Sequence, residues 1–220
     1  MTDDPAGVVA DLLAEAEGHV VITGGSTPRT AYERVAELRT DWSTVELWFT
    51  DERCVPPDHE HSNYRMVDGA LLSRVDGVRA RRMRGELGPH DGAADYEQQL
   101  YEAFRGGLPV FDLVLLGLGP DAHTCSLFPG DPALGESERT VVGVETPGMA
   151  PLVARVTLTL LVVNAARRGV FLVTGEDKAE AVARSFSGPP DPRVPGSLVE
   201  GSLTLVCDAA AASLLDAREG

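Results

Sequence analysis

An apolar run at residues 19–23 is broken by Gly24-Gly25-Ser26-Thr27-Pro28, after which Tyr32, Val35 and Leu38 follow at three-residue intervals. A short apolar run stopped by glycines reads as a strand, and apolar residues at helical spacing read as a helix. Pro28 suits the first helical turn, where a missing N–H costs nothing, with Ser26 or Thr27 as the cap. Strand, glycine turn, helix is the opening unit of a doubly wound sheet, because two parallel strands need a crossover and a helix is the usual one.

The same order recurs along the chain. A helical stretch at 8–16 precedes the first strand, and a second strand at 45–49 runs into Thr50-Asp51-Glu52-Arg53, a polar Pro-rich loop and a helix at 64–75. A short strand at 78–83 and a helix at 91–104 lead to residues 111–116, whose unbroken apolar character marks a strand buried on both faces. Gly117-Leu118-Gly119-Pro120-Asp121-Ala122-His123 makes the next turn. Residues 153–160 alternate as a strand, 161–168 read as a helix, 170–173 as a strand and 177–186 as a helix. A Pro- and Gly-rich loop at 187–197 then precedes a last strand at 203–207 and a last helix at 209–217. With no internal repeat or low-complexity tract, the 220 residues are expected to form one α/β domain, a mostly parallel sheet with helices on both faces. Ligands of such sheets gather beyond the carboxyl ends of the strands, where three polar clusters stand: residues 24–27, 51–53 and 117–124.

Composition narrows what that place can bind. Nineteen Lys and Arg against 34 Asp and Glu give a formal charge of −15. Such a chain repels nucleic acid and anionic membranes, so neither is an expected partner. An anionic small molecule has to be held by a few local cations and backbone N–H groups. Cys54, Cys125 and Cys207 are odd in number and make no Cys-x-x-Cys pair, which indicates neither a disulfide framework nor a zinc knuckle and fits the cytoplasm. The acidic start lacks an export signal, and no run of about 18 apolar residues suggests a membrane span.

Gly24-Gly25-Ser26-Thr27 offers backbone amides and two hydroxyls at a helix N-terminus, which either receive phosphate oxygens or cap the helix. Asp51-Glu52-Arg53 supplies either a base, a sugar-hydroxyl partner and a phosphate-binding guanidinium, or a strand-end cluster of salt bridges. His123 can exchange a proton near neutral pH, with Asp121 placed to orient it or stabilise its protonated form; the alternative is a structural histidine in a turn. Arg155 and Lys178, at the starts of a strand and a helix, are surface charges or further phosphate-binding cations.

Three other patterns carry less. Gly117-x-Gly119-x-x-Ala122 fits the dinucleotide pattern loosely, but Pro120 interrupts it, another glycine turn already follows strand one, and no clear strand ends in an acidic residue about 20 positions later, so the motif points only weakly to an NAD-dependent enzyme. Asp58-His59-Glu60-His61 has metal-ligand residue types in an acidic Pro-rich loop and reads as a solvated surface segment, with no metal expected. Cys125, two residues from His123, points to another side in either regular structure and reads as inert packing.

Taken together, Gly24-Gly25-Ser26-Thr27-Pro28, Asp51-Glu52-Arg53, Ser62-Asn63-Tyr64, the run from Gly117 through His123-Thr124-Cys125-Ser126-Leu127-Phe128-Pro129-Gly130, Arg155-Val156-Thr157-Leu158-Thr159 and Gly175-Glu176-Asp177-Lys178 resemble the 6-phosphogluconolactonase family, in its order and over nearly the whole chain. The resemblance implies a Rossmann-like, sugar-phosphate isomerase-like fold and hydrolysis of 6-phosphoglucono-1,5-lactone in the pentose phosphate pathway, without a cofactor. It implies that His123 is the general base, while Gly24, Gly25, Ser26, Thr27, Arg53 and Lys178 hold the anionic end. Two residues depart from the family's Asp-Gly-His-Thr-Ala-Ser pattern: Ala122 stands for glycine and Cys125 for alanine. If position 122 needs a positive φ, alanine strains the turn by about 1 kcal/mol or more.

On this reading His123 activates water and Asp121 supports the imidazolium, in a monomer or small homo-oligomer. Two rivals are an amino-sugar-6-phosphate deaminase or isomerase, with Asp51 abstracting a carbon-bound proton, and a non-catalytic sugar-phosphate sensor, for which Ala122 is the friendliest feature.

Overall fold

The computed structural model describes residues 1–215. In chain order its main elements are α1 (Pro5–Ala14), β1 (Gly18–Ile22), α2 (Ser26–Leu38), β2 (Val45–Phe49), β3 (Asp51–Arg53), α3 (Asn63–Ala70), β4 (Arg79–Arg81), α4 (Pro89–Ala103), β5 (Leu113–Leu116), β6 (Val141–Val144), β7 (Arg155–Leu158), α5 (Leu160–Val163), β8 (Gly169–Val173), α6 (Ala179–Phe186) and β9 (Leu203–Cys207). Six strands form a parallel sheet in the order β4-β2-β1-β5-β8-β9. Every residue of β2, β5 and β8 is buried, as apolar runs covered on both faces require. The chain moves outward from β1 on one side through β2 and β4, then resumes on the other side at β5. The turns after β1 and β5 therefore flank the point where strand order reverses, which is where open α/β sheets make a crevice.

Two helix starts follow local chemistry, whereas α2 lacks the side-chain cap expected of Ser26 or Thr27, because its N-cap is Gly25 and the Thr27 hydroxyl pairs with Thr174. Asp4 caps α1 by accepting from the N–H of Gly7, with Pro5 in the first turn, and Ser62 caps α3 by accepting from Arg65. On α2, Tyr32 and Val35 are buried as expected, whereas Leu38 ends the helix exposed. Tyr32 donates its hydroxyl to the carbonyl of Thr23 at 2.8 Å and accepts from the Thr23 N–H at 3.0 Å. A buried phenol is thereby satisfied, and the end of β1 is tied to the helix that follows it.

The expected mostly parallel sheet is present, together with a feature the sequence reading lacked. β3, β7 and β6 form a separate antiparallel sheet in the order β3-β7-β6. Residues 141–144 had no assignment, and the strand expected at 153–160 is confined to Arg155–Leu158. The helix expected at 161–168 is the single turn α5: its buried residues are the β-branched Val162 and Val163, and the Arg167 N–H is drawn to the carbonyl of Phe111. Of the last helix expected at 209–217, residues 209–214 are turns, because Asp208 accepts from Ala211 N–H and tucks Ala211 and Ala212 inward; residues 216 and 217 lie outside the described residues. Among the described residues no helix is long and apolar enough to cross a membrane.

Candidate active site

Five strand ends meet at one cavity of about 220 Å³, lined by Gly24 and Gly25 after β1, Asp51 and Arg53 on β3, residues of the turn from Gly117 to His123 after β5, and Arg155 on β7, with Lys178 closing it after β8. Ser26 and Thr27 stand apart from this lining: Ser26 is exposed, and the Thr27 hydroxyl pairs with that of Thr174 at 2.8 Å. Of the four residues expected to cradle phosphate at the first turn, the two glycines reach the cavity, and the threonine ties the β1 turn to the β8 turn that carries Lys178.

His123 sits against the cavity with its ring Nδ1 2.5 Å from Oδ1 of Asp121. An ionised carboxylate only accepts, so Nδ1 carries the proton and Nε2 of the neutral ring is left with its lone pair free. Phe128 packs on the imidazole with ring centroids 4.6 Å apart. Burial alone would raise the Asp121 carboxyl, but the hydrogen bond and charge of His123 outweigh it and hold the group below its ordinary value. A carboxylate held low in the folded state favours folding above its unfolded value of about 3.9, and that contribution fades as pH falls through the folded value. The stability gap between the native chain and Asp121→Asn is therefore expected to be full near about pH 5 and to shrink as pH drops below about 4. Urea midpoints across that range test it, and a gap that widens toward acid would contradict the pairing.

Ala122 adopts φ 70° and is wholly buried. Left-handed backbone costs an L-residue about 1–2 kcal/mol, but the buried methyl returns about 0.8 kcal/mol. Glycine would also lose about 0.5–1 kcal/mol more to chain entropy on folding. These nearly cancel, so Ala122→Gly is expected to shift unfolding free energy by less than about 1 kcal/mol, measured by urea denaturation. The carbonyl of Ala122 is further held by the N–H of Gly196 at 2.8 Å. The departure from the family pattern is therefore absorbed by packing, and His123 keeps its aspartate.

The cations come together through tertiary pairing. Arg53 and Arg155 are direct cross-strand partners on β3 and β7. Arg155 is 3% exposed; desolvation first, and then the neighbouring Arg53 charge, lower its pKa. The Nε of each guanidinium is buried and has no hydrogen-bond partner among the described residues. A buried Arg155 beside a half-buried Arg53, each with an open Nε donor, is a costly pair of like charges unless an anion joins them. Lys178, whose side chain is 23% exposed, adds a third positive charge.

Asp51 is held as a fixed acceptor, taking hydrogen bonds from Ser126 Oγ at 2.7 Å and Thr50 Oγ1 at 2.8 Å. Glu52, next on the strand, points the other way, as alternation demands. Its carboxylate accepts from the N–H groups of Asn63 (2.7 Å) and Tyr64 (2.8 Å) and from Ser62 Oγ (3.0 Å). It is a structural clasp on the start of α3. Cys125 does reach the cavity wall, yet burial pushes its thiol well up, so it stays protonated and is no nucleophile. In the acidic loop, His59 Nδ1 accepts from His61 N–H at 3.1 Å. Among the described residues, no three His, Cys, Asp or Glu side chains converge as metal ligands. Asn63 and Phe128 line the cavity without having been assigned a role from sequence; only their place in the motif segments could have flagged them.

Residues 5–207 match the family model described as glucosamine-6-phosphate isomerases/6-phosphogluconolactonase. The chain belongs to this family. Over 176 residues, 77% of this chain and 67% of the relative, it is 44% identical to a 6-phosphogluconolactonase of Homo sapiens. The crystal structure of a 6-phosphogluconolactonase from Leishmania guyanensis superposes with TM-score 0.80 at 31% identity, covering 96% of both chains. A monomeric glucosamine-6-phosphate deaminase superposes with TM-score 0.83 over 96% of this chain and 95% of that one; at 19% identity it shares the fold alone. In this chain His123, Arg53 and Arg155 line one cavity, with Asp121 behind His123.

Proposed function

We propose that this chain, as one domain over residues 1–220, hydrolyses 6-phospho-D-glucono-1,5-lactone to 6-phosphogluconate in the oxidative pentose phosphate pathway of the cytoplasm. The observation that carries the reading is the His123–Asp121 hydrogen bond beside a cavity that also holds Arg53 and Arg155, whose buried Nε donors have no partner among the described residues. The cations Arg53, Arg155 and Lys178 receive the phosphate. Nε2 of His123 takes a proton from water as the oxygen adds to the lactone carbonyl, and Asp121 stabilises the imidazolium so formed. The C1–ring-oxygen bond then breaks, the departing oxygen takes the proton from Nε2, and the new carboxyl group ionises. One imidazole serves both proton transfers, which suits a lactone that already hydrolyses unaided.

Purified protein with freshly made lactone in a pH-stat is expected to release acid well above the spontaneous rate, and to release no ammonia from glucosamine 6-phosphate. The opposite pattern would establish the deaminase reading. Thermal stabilisation by 6-phosphogluconate with no turnover would leave a sugar-phosphate sensor.

A further inference from the structure

Asn63 is 2% exposed, lines the cavity and opens helix α3, so its backbone and side chain are placed by separate contacts. The Glu52 carboxylate accepts from its N–H at 2.7 Å, and its Nδ2 donates to the main-chain carbonyl of Asp51 at 2.9 Å. That second bond fixes which way the amide faces, because turning it over would set two oxygens against each other. Oδ1 must therefore point away from Asp51. It accepts no hydrogen bond from the described residues and lies against Gly24, where an added Cβ would stand 2.0 Å from it. Glycine at 24 is what leaves room for this carbonyl beside the first turn.

An amide oxygen at the cavity wall that takes no hydrogen bond from the described residues is free to accept one from a ligand carrying O–H groups. Phosphate cannot donate one, since its oxygens are negative acceptors and belong with the arginines. We propose that Asn63 Oδ1 accepts a hydrogen bond from a ring hydroxyl of the sugar-phosphate lactone and so determines which lactones are hydrolysed well. This rests on the lactonase reading. The cavity then divides its labour: cations take the phosphate, His123 serves the carbonyl, and Asn63 reads the ring between them.

The test compares the parent lactone with its 2-, 3- and 4-deoxy analogues, using the native chain and Asn63→Ala. With the native chain, one deoxy lactone is expected to show kcat/KM lower by about 10- to 30-fold. Asn63→Ala is expected to lose about the same factor on the parent lactone and to treat that deoxy analogue and the parent alike. Any structural damage slows all substrates together, so this crossed pattern would not come from it. An Asn63→Ala enzyme that keeps the native dependence on every hydroxyl overturns the proposal. Should that variant not fold, the native chain still decides: equal kcat/KM on all four lactones overturns it, and Asn63→Ser repeats the crossed comparison. A native chain inert on the parent lactone overturns the lactonase reading itself, a result distinct from an active enzyme indifferent to Asn63.

Discussion

Replacing His123 with asparagine is expected to cut turnover of fresh 6-phosphogluconolactone by at least about a hundredfold while the chain still folds. Asparagine keeps a polar group beside Asp121 but cannot take the proton that water must give up. The expectation for stability follows from position. The His123 side chain is 20% exposed at the cavity edge, so its truncation opens little of the core. Initial rates corrected for spontaneous hydrolysis, set beside a thermal melt, test both halves. Turnover within a few-fold of native would remove His123 from the reaction.

Gly119→Ala is expected to inactivate the enzyme almost as completely without replacing any group that reacts. A Cβ at position 119 would lie 2.1 Å from His123 Nδ1, 2.2 Å from its Cε1 and 2.7 Å from Asp121 Oδ1. No real carbon is tolerated there, so the ring swings aside and the hydrogen bond to Asp121 opens. A side chain at a cavity edge can move cheaply, whereas a displacement of about 1 Å at a reacting group costs about a hundredfold in rate. The expected signature is a kcat lower by about a hundredfold, a KM that changes little because the cations are untouched, and a melting temperature close to native. A variant with native kcat would show that the His123–Asp121 geometry does not govern the rate.

Both predictions concern residues that were visible in the sequence, and the reason is locality. Asp121 and His123 are two residues apart in a glycine-rich turn, so their contact needs only the turn to form. Ala122 was legible only as a departure from the family pattern; that its backbone is left-handed, at φ 70°, came from the structure. Ser26 and Thr27 were legible as residue types at a helix N-terminus, but not in direction: Thr27 turns to Thr174, 147 positions away. Cys125 reaches the cavity because it too has positive φ, which breaks the alternation that placed it elsewhere.

What this sequence determined by itself is the alternation of the main-sheet strands with their helices and the turn that holds the His123–Asp121 pair. Those follow from spacing and short-range sterics. Tertiary structure alone decided that β3 pairs antiparallel with β7, setting Arg53 beside Arg155, that Ser126 grips Asp51 across 75 positions, and that the Asn63 carbonyl lies against Gly24. Apolar periodicity encodes which side of an element is buried, but carries no information about its neighbour or register. Those are chosen when distant faces pack together and their buried polar groups find partners.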